Sequence, residues 1–118
     1  MTRNKNQYGG GYNYNSLEIL GFPQIHAWML SGVNFMPITG TIDYTGGEQA
    51  WKSSFTHDGE IVQPGYHRVY LEDYDLWLEQ TATDRVSMYR ITYTKENRAG
   101  MLLNLGGYLS TATMTNAH

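Results

Sequence analysis

Residues 66–94 carry three runs, "YHRVYL", "LWLEQTA" and "RVSMYRITYT", separated by Glu72-Asp73-Tyr74-Asp75 and by Thr83-Asp84. The runs are rich in β-branched and aromatic residues, and the breaks are rich in turn formers, so the stretch reads as consecutive strands. Two more turns precede it. Trp51, Ser53 and Phe55 lead into His57-Asp58-Gly59, and Pro64-Gly65 suits a type II turn because Gly accepts the positive φ that its third position demands. A meander of short antiparallel strands follows from this spacing.

The rest of the chain continues the pattern. Residues 1–11 are polar and Gly-rich, which predicts a flexible leader, and the folded unit is expected over residues 12–118. "LEIL" before Gly21-Phe22-Pro23 reads as a strand, "VNFMPIT" as another with Pro37 at its centre, and "GTIDYTGG" as a strand running into a Gly-Gly turn. "MLLNLGGYL" is mostly apolar, which predicts a strand covered on both faces. No segment sustains a helical period; the best candidate, Glu72 to Ala82, is loaded with aromatic and β-favouring residues. At 118 residues without internal repeat or linker, the expectation is one all-β domain, an antiparallel β-sandwich.

Composition narrows the function. Eight Lys and Arg against eleven Asp and Glu, scattered along the chain, give no basic stripe, so nucleic acid is not an expected partner. The absence of Cys removes thiolate chemistry and Cys-based zinc sites. No eighteen apolar residues run together and the N-terminus has no apolar signal segment, so neither a membrane span nor an export signal of its own is expected. Localisation stays open on these grounds.

Catalytic and metal motifs are also missing. His26, His57, His67 and His118 lack ligand-type spacing and default to surface or strand positions, so no metal site is expected. The acids of "DGE" and "EDYD" default to solvated turn formers, although paired carboxyls are what glycoside hydrolysis needs. Glu79, Asp84, Arg85 and Arg90 are placed to pair across the last hairpin, a structural role. One stretch has another inventory. "GFPQIHAWMLSG" displays Gln24, His26 and Trp28 together: an indole face for the C–H face of a sugar, and an amide and an imidazole for its hydroxyls. The same residue types also fit a corner of a hydrophobic core, and on composition alone both readings stand.

"YNYNSLEILGFPQIHAWMLSGVNFMPITG", "FTHDGEIVQPGYHRVYLEDYDLWLEQTATDRVSMYRITY" and "MLLNLGG" together resemble the N-terminal β-sandwich domain of glycoside hydrolase family 92, calcium-dependent exo-acting α-mannosidases of bacteria. The resemblance rests most on the Gly-Phe-x-x-x-His turn, the Phe-x-His-Asp-x-Glu-x-x-x-Pro-Gly-Tyr segment and the Glu-x-Thr-Ala-Thr-Asp-Arg-Val strand. It implies a galactose-mutarotase-like supersandwich that packs on a helical-barrel domain, with the active site in the cleft between them. The helical domain would supply acid, base and calcium environment, and the sandwich one wall of the mannose pocket. Gln24, His26 and Trp28 then become candidate substrate contacts, in a turn carrying Pro23-Gln24 where many members have Ser-His.

The same resemblance implies that the chain is a fragment of an inverting α-mannosidase of the α-1,2 type, inactive alone, with no catalytic residue of its own. The helical domain and an early Gly-rich, Pro-Phe-Gly segment are not in the sequence. Calcium belongs to the full-length family and no cofactor to this chain; the parent family is typically periplasmic, surface-attached or secreted. The alternative is a stand-alone β-sandwich module that binds carbohydrate or protein. Surfaces left uncovered by a missing domain predict homo-oligomers formed through exposed edges.

Overall fold

The computed structural model describes residues 13–23, 33–95 and 98–105. In chain order the strands are β1 (Glu18–Ile19), β2 (Phe22–Pro23), β3 (Asn34–Thr39), β4 (Ser53–Ser54), β5 (Glu60–Gln63), β6 (Tyr66–Leu71), β7 (Leu76–Ala82), β8 (Ser87–Tyr93) and β9 (Ala99–Asn104). They form a four-stranded sheet, β5-β6-β7-β8, a three-stranded sheet, β2-β3-β9, and a two-stranded ribbon, β1-β4. Every pairing is antiparallel. The domain is an all-β, sandwich-type unit.

Turn chemistry sets the register of the larger sheet. Gly65 adopts φ 74°, the conformation the Pro64-Gly65 turn requires, and brings Gln63 opposite Tyr66. Asp75 closes the next turn at φ 51°, a left-handed conformation that Asp tolerates better than most residues, and brings Leu76 opposite Leu71. With register fixed, alternation sorts the faces. Val69, Leu71, Leu76 and Leu78 point inward and are fully buried, while Tyr66, Arg68, Tyr70, Trp77, Glu79 and Arg90 share the outer face.

The inner face meets the three-stranded sheet. Phe22, Phe35, Met36 and Ile38 join Val69, Leu71, Leu76 and Leu78 in one apolar cluster, with Ile19, Trp51, Phe55 and Tyr74 around it. Phe35 sits edge-on to Tyr89 of β8 at 4.7 Å between ring centroids and packs on Phe22 at 5.6 Å. Hydrogen bonds fasten the sheets at their corners. Thr39 Oγ1 donates to the Tyr74 carbonyl (3.0 Å), Tyr74 Oη to the Trp51 carbonyl (2.8 Å) and Tyr93 Oη to the Gly100 carbonyl (2.9 Å). Burial pushes the Tyr74 phenol up to about 12, which keeps it a donor at neutral pH.

Three expectations are corrected. "GTIDYTGG" is no strand: β3 ends at Thr39, Gly40 turns at φ 79°, and Asp43 Oδ1 accepts from both the backbone N–H (2.9 Å) and the hydroxyl (2.6 Å) of Thr45. That local turn competes with a sheet ladder and leads into a 3₁₀ turn, Tyr44–Gly46, and a single-turn helix, α1 (Glu48–Trp51). "MLLNLGGYL" yields β9, whose residues are not covered on both faces; it pairs only with β3 among the described residues, and Met101 and Leu103 are 54% and 61% exposed. "LEIL" contributes only two paired residues, Glu18 and Ile19, to the ribbon. No helix among the described residues is long and apolar enough to cross a membrane.

Leu78 lies at the centre of the inner face, fully buried. Leu78→Ala should therefore cost about 2–5 kcal/mol by denaturant unfolding, whereas Thr92→Ala on the outer face should stay within about 0.5 kcal/mol. Equal effects at the two positions would contradict the assignment of faces.

Candidate functional site

Gln24, His26 and Trp28 lie outside the described residues, but both feet of their turn are described. Phe22 pairs with Phe35 and Pro23 with Asn34, so the intervening residues connect two adjacent antiparallel strands. Phe22 is fully buried in the core. Beside it, Gly21 has φ 150°, and the carboxamide of Asn34 occupies the space where a Cβ would stand, with Oδ1 2.3 Å from that position. Asn34 is itself buried, and neither Oδ1 nor Nδ2 has a hydrogen-bond partner among the described residues. The turn thus springs from a rigid, tightly packed base.

A polar cluster lies at the start of the large sheet. Thr56 is extended, a 3₁₀ turn covers His57–Gly59, and β5 begins at Glu60. Glu60 stands opposite Val69 and His67 opposite Val62, which puts Glu60 and His67 on the inward face as diagonal neighbours. The Glu60 side chain is only 3% exposed, and its two oxygens meet His57 Nδ1 and His67 Nε2 at 2.8 Å each. His57 Nε2 reaches the Tyr14 carbonyl at 2.7 Å, and the Tyr14 ring stacks on the imidazole at 3.9 Å and 6°. His57 and His67 are therefore not solvent-facing by default, and Glu60 is not a solvated turn former: strand alternation turns both Glu60 and His67 inward.

Asp73 corrects the same expectation for "EDYD". Its Oδ2 accepts from the Ser54 backbone N–H (2.6 Å) and hydroxyl (2.8 Å), tying the turn before β7 to the ribbon. Those donors, the Ser54 N–H first, hold its carboxyl below the usual range. On the outer face Glu79 pairs with Arg90 at 3.6 Å, as the cross-strand reading expects, and also accepts from Tyr66 Oη at 2.8 Å. Asp84 and Arg85 sit in the exposed turn between β7 and β8. Arg68 lies 4.0 Å over the Trp77 ring, and the Tyr70 ring packs against it at 4.9 Å, tilted by 50°.

Two grooves are lined by described residues. One, of about 390 Å³, follows Met101–Asn104 of β9 beside Ile38 and Trp51; the other, of about 190 Å³, lies among Tyr66, Glu79, Thr81, Met88 and Arg90. Neither presents two free carboxyls facing each other. Calcium takes six to eight oxygen ligands. Among the described residues no group of three His, Asp or Glu is arranged to hold a metal ion, and the carboxylates of Glu60, Asp73, Asp75 and Glu79 are engaged by donors of the fold. This described part of the chain does not fit calcium.

The family model of the glycosyl hydrolase family 92 N-terminal domain matches residues 1–118, and the chain belongs to that family. Among solved structures it is similar to the family GH92 α-mannosidase BT3965 from Bacteroides thetaiotaomicron, at 30% identity and a TM-score of 0.78 over 90% of this chain. The same enzyme in complex with mannoimidazole is matched at 29% identity and a TM-score of 0.77 over 92% of this chain. In both comparisons the chain spans 16% of the length of the solved enzyme. No curated protein matches it.

Gly21→Ala would drive a methyl into the Asn34 carboxamide at the base of the candidate turn. Steric overlap and an unfavourable φ should together destabilise the domain by about 1–3 kcal/mol, read as a lower denaturation midpoint at unchanged slope. An unchanged midpoint would show that this base is not tightly packed.

Proposed function

We propose that this chain forms one wall of the mannose-binding cleft of an exo-acting, inverting α-mannosidase of the α-1,2 type, and that it is inactive alone. The observation that carries the reading is family membership across all 118 residues. Similarity to a GH92 α-mannosidase that has been solved with mannoimidazole supports the substrate class. Inversion needs an acid and a base about 6.5–9.5 Å apart with a water between them. The carboxylates of Glu60, Asp73, Asp75 and Glu79 are engaged within the fold, and in this reading both groups come from the helical domain, as does calcium. Gln24, His26 and Trp28 contribute the sugar contacts from the sandwich side. The parent works in the periplasm, at the cell surface or outside the cell.

The chemistry of the sandwich wall suits that division of labour. The residues at the base of the candidate turn, Gly21 and Phe22, are packed against Asn34 and the core. A pyranose ring needs an aromatic face and a few placed donors and acceptors, and an indole, an imidazole and a carboxamide on one turn provide them.

The purified chain should hydrolyse no α-1,2-mannobiose, with or without added calcium; turnover would overturn the reading. Calorimetry with mannose and mannobiose separates it from the stand-alone module. A flat titration supports the cleft-wall reading, and saturable binding lost in Trp28→Ala supports an independent binding module.

Partner surfaces belong to the same proposal. Val86, Met88, Met101 and Leu103 are each more than half exposed, and they lie on or beside β8 and β9, the outermost strands of their sheets among the described residues. Apolar edges of this kind associate. Size-exclusion chromatography should show concentration-dependent dimers or larger species, and a monomer at every concentration would contradict the expectation.

A further inference from the structure

The hydrogen-bonding positions around His57 require a proton at each ring nitrogen or its equivalent on Glu60. Nε2 lies 2.7 Å from the Tyr14 carbonyl oxygen, and a carbonyl only accepts, so Nε2 must donate. Nδ1 lies 2.8 Å from Glu60 Oε2, so between these two atoms there is a second proton. A neutral imidazole beside a carboxylate supplies one proton for these two bonds, whereas the geometry uses two. The extra proton belongs to the stronger base, and imidazole exceeds a carboxylate by about two pH units. The second Glu60 oxygen accepts from His67 Nε2 at 2.8 Å.

We infer that His57 is a charged clasp: as an imidazolium bridging the Glu60 carboxylate and the Tyr14 carbonyl, it pins the segment entering β1 to the turn entering β5, and loss of its proton releases Tyr14. The buried carboxylate explains which bond survives. Glu60 is nearly inaccessible to water and keeps its N–H from Nδ1, so the neutral ring turns a bare Nε2 toward a carbonyl oxygen 2.7 Å away. Two acceptors at that distance repel each other. The contact opens.

Among the described residues, the groups around the ring include Glu60 from β5, with His67 of β6 on its other oxygen, Tyr14 from the N-terminal segment, Phe55 edge-on at 5.7 Å from the stretch after β4, and Asp58 from the turn itself. The bond to Glu60 is the largest influence and raises the His57 pKa; burial opposes it, and the Tyr14 carbonyl and the charges of Glu60 and Asp58 add to the rise. The sign follows from linkage. A raised imidazole pKa stabilises the fold fully below the ordinary imidazole range, and the contribution is lost as pH climbs through the folded value. The clasp holds below the ordinary imidazole range and loosens as pH climbs through the raised value of His57.

The clasp is one tooth of a longer zip. Phe55 N donates to the Leu17 carbonyl (3.1 Å), β1 pairs with β4, and Lys52 Nζ meets Glu18 Oε1 (2.7 Å). The zipped segment continues into Gly21, Phe22 and Pro23. His57 thereby secures the strand that carries the candidate turn, and it does so whether or not the turn binds sugar.

The test is a pH titration of the full chain by long-range ¹H–¹⁵N NMR of the imidazole nitrogens, from about pH 5 to about pH 9. Both His57 nitrogens should show protonated shifts at the acidic end, with a midpoint above that of free histidine in the same buffer. The Asn15 amide, whose peptide carries the Tyr14 carbonyl, should move with the same midpoint. In Glu60→Gln the His57 midpoint should fall and the coupled Asn15 shift disappear. A singly protonated His57 in acidic solution, or an Asn15 amide indifferent to the titration, would overturn the inference; the wild-type measurement decides even where the variant does not fold.

Discussion

The ring of Phe35 joins the two main sheets: it meets Phe22 within its own sheet and stands edge-on to Tyr89 across the core. Edge-to-face contacts of this kind add about 0.5–1.5 kcal/mol beyond the area that they bury. More important is what the contact fixes. Phe22, the residue after Gly21, is held against Phe35, and Tyr89 lies opposite Gln80 in the register of the large sheet. The base of the candidate turn and the four-stranded meander are thereby one packed body.

Around that core the polar groups divide into two jobs. At the corners, Thr39, Tyr74, Asp73 and Tyr93 satisfy backbone or side-chain partners from another element, so the connections carry few loose polar ends. At the entrance of β5, Glu60 is a buried charge made tolerable by two imidazoles, with His57 linking onward to Tyr14. Losing one partner of such a group costs far more than the pair is worth against apolar substitutes, so this cluster restrains what can stand at residues 57, 60 and 67.

Much of the fold was legible because turns and alternation are local. The Pro64-Gly65, Glu72–Asp75 and Thr83-Asp84 turns and the strands between them appear where the residue types put them. β9 was misread because an apolar run does not say whether a second sheet edge covers it, and the stretch after Thr39 because β-favouring Ile42 and Tyr44 are outweighed by Gly40 and the Asp43 turn. The Glu60 cluster carried a readable signal that composition obscured. Once Pro64-Gly65 makes Gln63 face Tyr66, Glu60, three residues before Gln63, and His67, one residue after Tyr66, both fall on the opposite face of the sheet; only the arrival of His57 needed three dimensions. For Gln24, His26 and Trp28, the structure speaks only through Gly21, Phe22, Pro23 and Asn34 at their base.

The described residues form one core, in which the inner face of the meander and the Phe35 sheet are locked together. Native-state hydrogen exchange reads this directly, because amides in the lock open only when the whole domain unfolds. The amides of Met36, Val69, Leu71 and Leu78 should share one opening free energy, equal to that of global unfolding, while those of β9 exchange through smaller openings. If β6 and β7 instead exchange by openings that leave β3 protected, the two sheets are separate units and the account of a single locked core is wrong.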